Sequence, residues 1–227
     1  MYNRFHLYAA RDQKAILGGK MKYSKIPEVT IMRLSAYSRV LNEALDKGEK
    51  IISSKGIAML TGVSPDQVRK DLAYFGEFGV RGIGYNIEEL KYNISKIIGT
   101  DRNWKVAIAG LGHLGGSLVS YPGFLTRGFK MAGIFDVKNI GEKYGDLQVE
   151  HIDNFEKVAK QVGFDLGIIV VPREVAQGVA DVMVKSGIKA ILNFAPVMID
   201  VPDGVELKNV DLSMFLEILS YYMSLKI

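Results

Sequence analysis

Cysteine is absent from this 227-residue chain. That excludes a disulfide scaffold, a thiolate zinc ribbon and thiol catalysis, and it agrees with a reducing, cytoplasmic setting. Histidine is nearly absent: His6, His113 and His151 are the three in the chain, and none has an Asp or Ser partner at a spacing that suggests a catalytic set. No metal site is expected. Long apolar runs are missing too. The best, residues 166–171, has a strand's length and falls short of the roughly 18–20 residues a membrane helix needs. Arg4, Arg11 and Asp12 interrupt the opening stretch, so no secretory signal is expected. What is present is a globular balance of 48% hydrophobic and 24% charged residues, apolar enough to exclude wholesale disorder, in a length that suits two modest domains.

Charge is unevenly spread. Of the net +4, residues 1–20 carry +3, residues 21–99 carry +3 and residues 100–227 carry −2. A polyanion would therefore meet the front half, although solvated faces alone would also account for so small a bias. Residues 1–20 lack a clear apolar period and end in Gly18-Gly19-Lys20 before Met21. A disordered basic arm and a stretch upstream of the true start both explain them, and they are left out of the fold reasoning.

From Pro27, suited to a helix's first turn, the pattern becomes helical. Ile31, Leu34, Val40, Leu41, Ala44 and Leu45 recur at helical spacing as far as Gly48. A second, short helix begins at Ser53 or Ser54, and Thr61-Gly62-Val63 turns the chain. Ser64-Pro65-Asp66-Gln67 then opens a third, with Ser at the N-cap, Pro at the first position and Gln placed for a capping box. Val68, Leu72 and Phe75 face inward from it. Helix, three-residue turn, helix is the helix-turn-helix spacing. Gly79-Val80-Arg81-Gly82-Ile83-Gly84-Tyr85 follows as a hairpin, then a helix over 87–98. Together these predict a winged-helix DNA-binding domain over 21–99.

Beyond a short linker at 99–101, strands predicted at 105–109, 131–135, 147–150, 165–171 and 189–194 alternate with helices at 112–120, 153–162, 174–186 and from 212 to the end. Continuous apolar strands mark a buried parallel sheet, so an α/β domain is expected over 100–210.

That domain opens with a strand running through Gly110-Leu111-Gly112-His113-Leu114-Gly115 into a helix, and Asp136 lies 21 positions after Gly115 at the end of the next strand. This is the Rossmann dinucleotide fingerprint in its proper context. Gly110 permits the tight turn, Gly112 lets backbone approach a pyrophosphate, and Gly115 allows close helix–strand packing. Helix N–H groups and the dipole receive the phosphates. Asp136 would accept from a ribose hydroxyl and repel a 2′-phosphate, favouring NAD(H) over NADP(H), with Val137 beside it and Lys138 as an opposing charge. Val171 and Pro172 close one later strand, and Asn193, Phe194 and Ala195 close another, along the carboxyl edge where such folds bind ligand. They are candidate nicotinamide-side contacts, with ordinary strand-end turns as the competing account. A Rossmann-like fold that has lost its ligand is the broader alternative.

Residues 100–227 suffice for one nucleotide unit, without room for a substrate domain or an evident acid and base. Tyr121 could offer a phenol to the nicotinamide end, but Tyr-x-x-x-Lys is not present there. The dinucleotide is therefore expected as a signal, and the chain is not expected to be an enzyme. On the third helix Gln67, Arg69, Lys70 and Tyr74 take the flanks and outer face, with Asp71 and Glu77 close by. Arg and Gln read bases, whereas Lys more often holds phosphate. Ser64 and Lys55 lie at helix starts, and Arg81 and Gly82 at the hairpin tip, where an arginine can enter a narrow minor groove. A solvated basic helix used for protein contacts is the alternative.

Leu212, Met214, Phe215, Leu216, Ile218, Leu219, Tyr221, Tyr222 and Met223 leave the last helix almost no polar face. Such a helix is expected to pack against another subunit. A homodimer also suits a helix-turn-helix, since two-fold symmetry reads a palindrome.

The stretches Gln67-Val68-Arg69-Lys70-Asp71-Leu72-Ala73-Tyr74-Phe75-Gly76, Arg81-Gly82-Ile83-Gly84-Tyr85, Tyr121-Pro122-Gly123-Phe124, Asn193-Phe194-Ala195-Pro196-Val197 and Asn209-Val210-Asp211 resemble the Rex family of redox-sensing transcriptional repressors, from about Lys25 to the end. The resemblance implies a homodimer whose C-terminal helix, over 211–227, is domain-swapped between the two halves. It implies NAD(H) binding, with NADH lowering affinity for operator DNA and NAD+ competing. It also implies an interdomain polar set of Arg39, Tyr121 and Asp211 that differs between the two states. Gly116, Lys138 and Leu212 depart from residues common in the family. The expectation is an NAD(H)-responsive repressor of palindromic operators. Its rivals are a small NAD-dependent oxidoreductase with an N-terminal regulatory module and a constitutive architectural DNA-binding protein.

Overall fold

The structure, a computed structural model, describes residues 26–225; the basic arm at 1–20 lies outside the described residues. Contacts divide the chain into two compact units between Asp101 and Arg102.

The first unit contains α1 (Glu28–Asp46), β1 (Ile51–Ile52), α2 (Ser54–Thr61), α3 (Pro65–Ala73), β2 (Gly79–Val80), β3 (Gly84–Asn86) and α4 (Ile87–Ile98). Pro27 is the N-cap of α1, one position outside its first turn. The buried stripe of α1 is Leu34, Tyr37, Val40, Leu41 and Ala44. Ile31, expected in that stripe, is exposed, and Tyr37 is in it because its hydroxyl finds an internal partner described below. Val68 and Leu72 enter the same core from α3 as predicted, and Phe75 joins them from just past the helix, which ends at Ala73, beside Ile57, Leu90 and Ile94.

The Ser53 and Ser64 hydroxyls cap α2 and α3 by accepting from the Gly56 and Gln67 backbone N–H groups. The expected capping box is only half formed, because the Gln67 side chain points forward along α3 to Asp71. The sequence also hid β1, two residues too short to show a period. It pairs with β3 in an antiparallel sheet of order β1-β3-β2. Gly84 makes that pairing possible, since a Cβ there would stand 2.6 Å from the Ile52 carbonyl oxygen.

The second unit contains β4 (Trp104–Ala109), α5 (His113–Val119), α6 (Pro122–Leu125), β5 (Phe129–Asp136), β6 (Lys143–Tyr144), β7 (Leu147–His151), a 3-10 turn (Ile152–Asn154), α7 (Phe155–Val162), β8 (Leu166–Ile169), α8 (Arg173–Lys185), β9 (Ala190–Asn193), β10 (Glu206–Asn209) and α9 (Leu212–Ser224). Its seven-stranded sheet has the order β10-β9-β8-β4-β5-β7-β6, parallel except for β6 on β7. Along β4, Ala107 and Ala109 join the core on one face while Val106 and Ile108 join the core on the other. A sheet buried on both faces needs apolar residues at consecutive positions, which is why β4 reads as a run. Strand order reverses at β4, between β5 and β8, where doubly wound sheets open a crevice at their carboxyl ends.

Three elements escaped the sequence pattern: α6, β6 and the edge strand β10, all short or largely exposed. No described residue of α9 is buried against its own chain. Among the described residues no helix is long and apolar enough to cross a membrane.

Candidate nucleotide cradle and DNA-reading face

At the reversal point the ends of three strands are stitched together. The Gly110 N–H donates to the Phe135 carbonyl of β5, and the Val170 N–H donates to the Ala109 carbonyl of β4, each at 2.8 Å. The three fingerprint glycines then separate by function. Gly110 has φ +99°, and a Cβ on it would stand 2.2 Å from the Val170 carbonyl oxygen. A Cβ on Gly115 would stand 2.0 Å from the Gly110 carbonyl oxygen. Both are therefore required by the protein's own packing. Gly112 is extended, its Cβ would meet nothing within 4 Å, and no side chain caps the α5 N-terminus it precedes. Its bare backbone faces open space, which suits a pyrophosphate that must approach closely. Because α5 has only seven residues, its individual N–H groups matter more than the macrodipole the sequence suggested.

Asp136 ends β5. One carboxylate oxygen accepts from the Leu111 N–H at 2.5 Å and the other from the Lys138 N–H at 2.7 Å. The acid thus pins the glycine-rich loop to its own strand end. A carboxylate has about four lone-pair positions, so acceptor capacity is left for ribose hydroxyls. His113, Leu114, Val137 and Pro172 are exposed around this mouth, and Val171 is half-buried. Tyr121 is exposed and stacks edge-on with Phe124 at 5.2 Å. Gly123 makes room for that phenol: a Cβ there would lie 2.5 Å from the Tyr121 ring.

Asn193, predicted at the nicotinamide side, has an internal role. It is fully buried, and its amide nitrogen donates to the Ala195 and Val197 carbonyls and to the Asn209 side-chain oxygen, while its own oxygen accepts from the Ala195 N–H. The side chain is committed to shaping the loop after β9, in which Phe194 is half-buried and Ala195 buried. Asp211 caps α9, accepting from both the N–H and the hydroxyl of Ser213. Those bonds hold its carboxyl below the usual range. Arg39 is exposed on α1, in the other unit.

In the first unit, Lys55, Arg69, Lys70, Tyr74, Arg81 and Gly82 are all exposed. Arg69 donates to the Ser54 hydroxyl and to the Asp66 carboxylate, which holds the guanidinium between α2 and α3. A cleft of about 540 Å³ separates the end of α3 from the β2–β3 wing, with Ser54, Arg69 and Arg81 on its walls. Gly82 has φ +83°, giving the wing its tight tip. Ser64 is spent as a cap.

Asp71 is the main surprise on α3. Placed beside the basic face by the sequence, it is fully buried. It accepts from the Arg33 Nε at 2.5 Å and Nη2 at 2.7 Å, the Tyr37 hydroxyl at 2.6 Å and the Gln67 amide at 2.8 Å. Burial pushes its carboxyl up, but bonds from Arg33, Tyr37 and Gln67 outweigh that and hold it below the usual range. Burial and the bond to Asp71 push the Tyr37 phenol well above its ordinary value. Sequence reasoning missed this set. The available signal was Arg33 and Tyr37 four apart on α1, which without a contact map reads as ordinary helix. The consequence is electrostatic: Arg33 compensates the Asp71 charge internally, so it does not offset the exposed cations Arg69 and Lys70.

Two family models match the chain: "Putative DNA-binding protein N-terminus" over residues 25–73 and "CoA binding domain" over residues 101–197. The chain is 49% identical over 208 residues to the redox-sensing transcriptional repressor Rex of Desulforamulus reducens, covering 91% of this chain and 99% of that one. To the Rex of Desulfitobacterium hafniense it is 51% identical over 203 residues, with 88% and 97% covered. Among solved structures it is similar to RSP in complex with β-NAD+ and operator DNA, at 40% identity and TM-score 0.84, covering 88% of this chain and 94% of that one. It is also similar to RSP in complex with β-NADH, at 38% identity and TM-score 0.80, covering 89% and 96%. These relatives carry a repressor's name, in agreement with a nucleotide that acts as signal.

Proposed function

The chain belongs to the Rex family of redox-sensing transcriptional repressors, and from that membership we propose that it represses transcription by holding palindromic operator DNA and lets go when NADH binds. It does so as a homodimer in the cytoplasm. α3 lies in the major groove, with Gln67, Arg69, Lys70 and Tyr74 toward the DNA. Arg81 enters the minor groove from the wing, and Lys55 and Ser64 border the backbone.

The observation that carries the nucleotide half is Gly112, whose missing side chain serves no internal contact and leaves backbone bare for a pyrophosphate. Gly110 and Gly115 hold the turn, Asp136 receives the ribose hydroxyls, and His113, Leu114 and Val137 line the mouth. Val171, Pro172, Phe194 and Ala195, with Tyr121, form the nicotinamide end. The reduced nicotinamide supplies a neutral ring where the oxidised one carries a positive charge. A largely apolar surround favours the neutral form, because it cannot solvate the cation.

A ligand shifts an equilibrium only through different affinities for its two states. The two states are dimers that differ in the spacing of their paired winged helices. α9, apolar and exposed along its length, is the element that a second copy covers, by domain swapping. Arg39 and Asp211 pair in the DNA-competent state, with Tyr121 in the same polar set. The test is a gel-shift titration on operator DNA. NADH should weaken binding and NAD+ should compete with it; operator affinity that stays constant at saturating NADH refutes the reading.

A further inference from the structure

The DNA-reading proposal leaves open how a flexible glutamine comes to read anything in particular. Gln67 stands third in α3, within the first turn, where recognition helices touch base edges. A glutamine amide can flip end for end, exchanging donor for acceptor at almost no cost in shape. Here it is not free to do so. Its nitrogen sits 2.8 Å from an oxygen of Asp71, and a carboxylate only accepts hydrogen bonds. The flipped amide would set oxygen against carboxylate inside the protein.

The carboxylate itself cannot turn away. Arg33 holds both of its oxygens from α1, and Tyr37 holds one of them from the same helix. The amide is thereby fixed to α1 through part-buried contacts, Gln67 to Asp71 and Asp71 to Arg33. One N–H goes to Asp71. When Asp71 takes the N–H trans to the amide oxygen, the cis N–H and that oxygen are left side by side on a half-buried side chain. An adjacent donor and acceptor match the N7 acceptor and N6 donor of adenine and do not match the two acceptors of guanine.

We propose that Asp71, itself anchored by Arg33, orients the Gln67 amide so that Gln67 reads one adenine of the operator in the major groove. Gln67 is then a specificity residue and Asp71 a positioning residue. The inference rests on the reading of α3 as the DNA helix.

The test uses the full chain without nucleotide. Wild-type protein first selects its operator from random duplexes. Fluorescence anisotropy at fixed salt then follows binding to that operator, to duplexes with each base pair exchanged in turn, and to a scrambled duplex. Wild type should discriminate at one A·T pair by about 5- to 150-fold. Gln67→Ala should lose that discrimination alone, with scrambled-duplex affinity unchanged. Asp71→Asn should lose it at the same pair, and the double variant should lose no more than Gln67→Ala.

Retained discrimination in Gln67→Ala, equal loss on every duplex, or a pair other than A·T overturns the proposal. Retained discrimination in Asp71→Asn overturns the positioning part. Should Asp71→Asn fail to fold by circular dichroism, Gln67→Asn decides. Its shorter amide cannot reach both Asp71 and a base, so full discrimination from it overturns the proposal. If wild type selects no sequence at all, the DNA reading of α3 fails instead, and that result is distinct from all of these.

Discussion

The two units fix their working surfaces by opposite means. In the first, a helix is held in place by a buried charge: Asp71 on α3, gripped by Arg33 and Tyr37 from α1. In the second, a loop is held in place by missing side chains, with Gly110 and Gly115 pressed against backbone carbonyls and Asp136 closing the loop from the next strand. A charge clamp fixes direction and depends on protonation. A glycine pressed on a carbonyl fixes distance and does not. Removing one partner of a buried ion pair leaves the other without compensation, whereas adding a methyl group beside a carbonyl creates a clash.

The largest effect expected is from Arg33→Met. It leaves the Asp71 carboxylate buried and unpaired, and should destabilise the first unit by about 3–5 kcal/mol. Urea melts read that loss, and NADH affinity should stay near wild type. Acid should open the same clamp. Because Asp71 sits below the ordinary carboxylate range when folded, the unfolded chain takes up its proton first as pH falls through about 4. Stability is thus full above that point and is lost as pH drops toward the folded value. A pH series of melts should show this dependence in wild type and not in Asp71→Asn. At the other end, the raised Tyr37 predicts loss of stability above about pH 10, where the unfolded phenol ionises.

Next in size is Gly115→Ala. Its Cβ has only rigid backbone to meet, and overpacking of that kind costs about 1–3 kcal/mol. NADH affinity by fluorescence titration should fall with the stability of the second unit, while apo-protein DNA binding should change less. Arg81→Ala should weaken operator binding and reduce the salt slope by about one contact, with NADH affinity unchanged. Smallest in stability is Gly112→Ala. Nothing lies within reach of the new methyl, so melts should shift by less than about 0.5 kcal/mol while NADH affinity drops. A Gly112→Ala protein that is stable and still binds NADH normally would break the comparison, because it would put the cradle elsewhere.

The difference between the units also explains what could be read from the sequence. Glycine clamps are legible. The spacing of Gly110, Gly112 and Gly115 after an apolar strand, with Asp136 beyond, states a backbone geometry directly, and β4, β5 and α5 follow it. Helix α3 was legible because Ser64, Pro65 and the Val68–Leu72–Phe75 stripe mark its start and its buried face. Charge clamps are not legible, because the partners are far apart in sequence: Arg33 and Tyr37 lie 38 and 34 positions from Asp71. An aspartate between Lys70 and Leu72 reads as surface until a contact shows otherwise. Asn193 was legible only in part. Its place at a strand end marked it as a ligand contact, and only its four internal bonds reveal a loop organiser. Short edge elements such as β1, β6 and β10 carry too few residues for any period to show.

The same Asn193 adds a side-chain tie to two strands already paired in the sheet, β9 and β10. Its amide reaches Asn209 in β10, and its backbone carbonyl accepts from the Val210 N–H. One residue later Asp211 starts α9. The loop after β9 and the root of the last helix are therefore mechanically one part. The conformation of residues 194–197 is thus bonded, through β10, to the start of a helix of 13 residues, about 20 Å long.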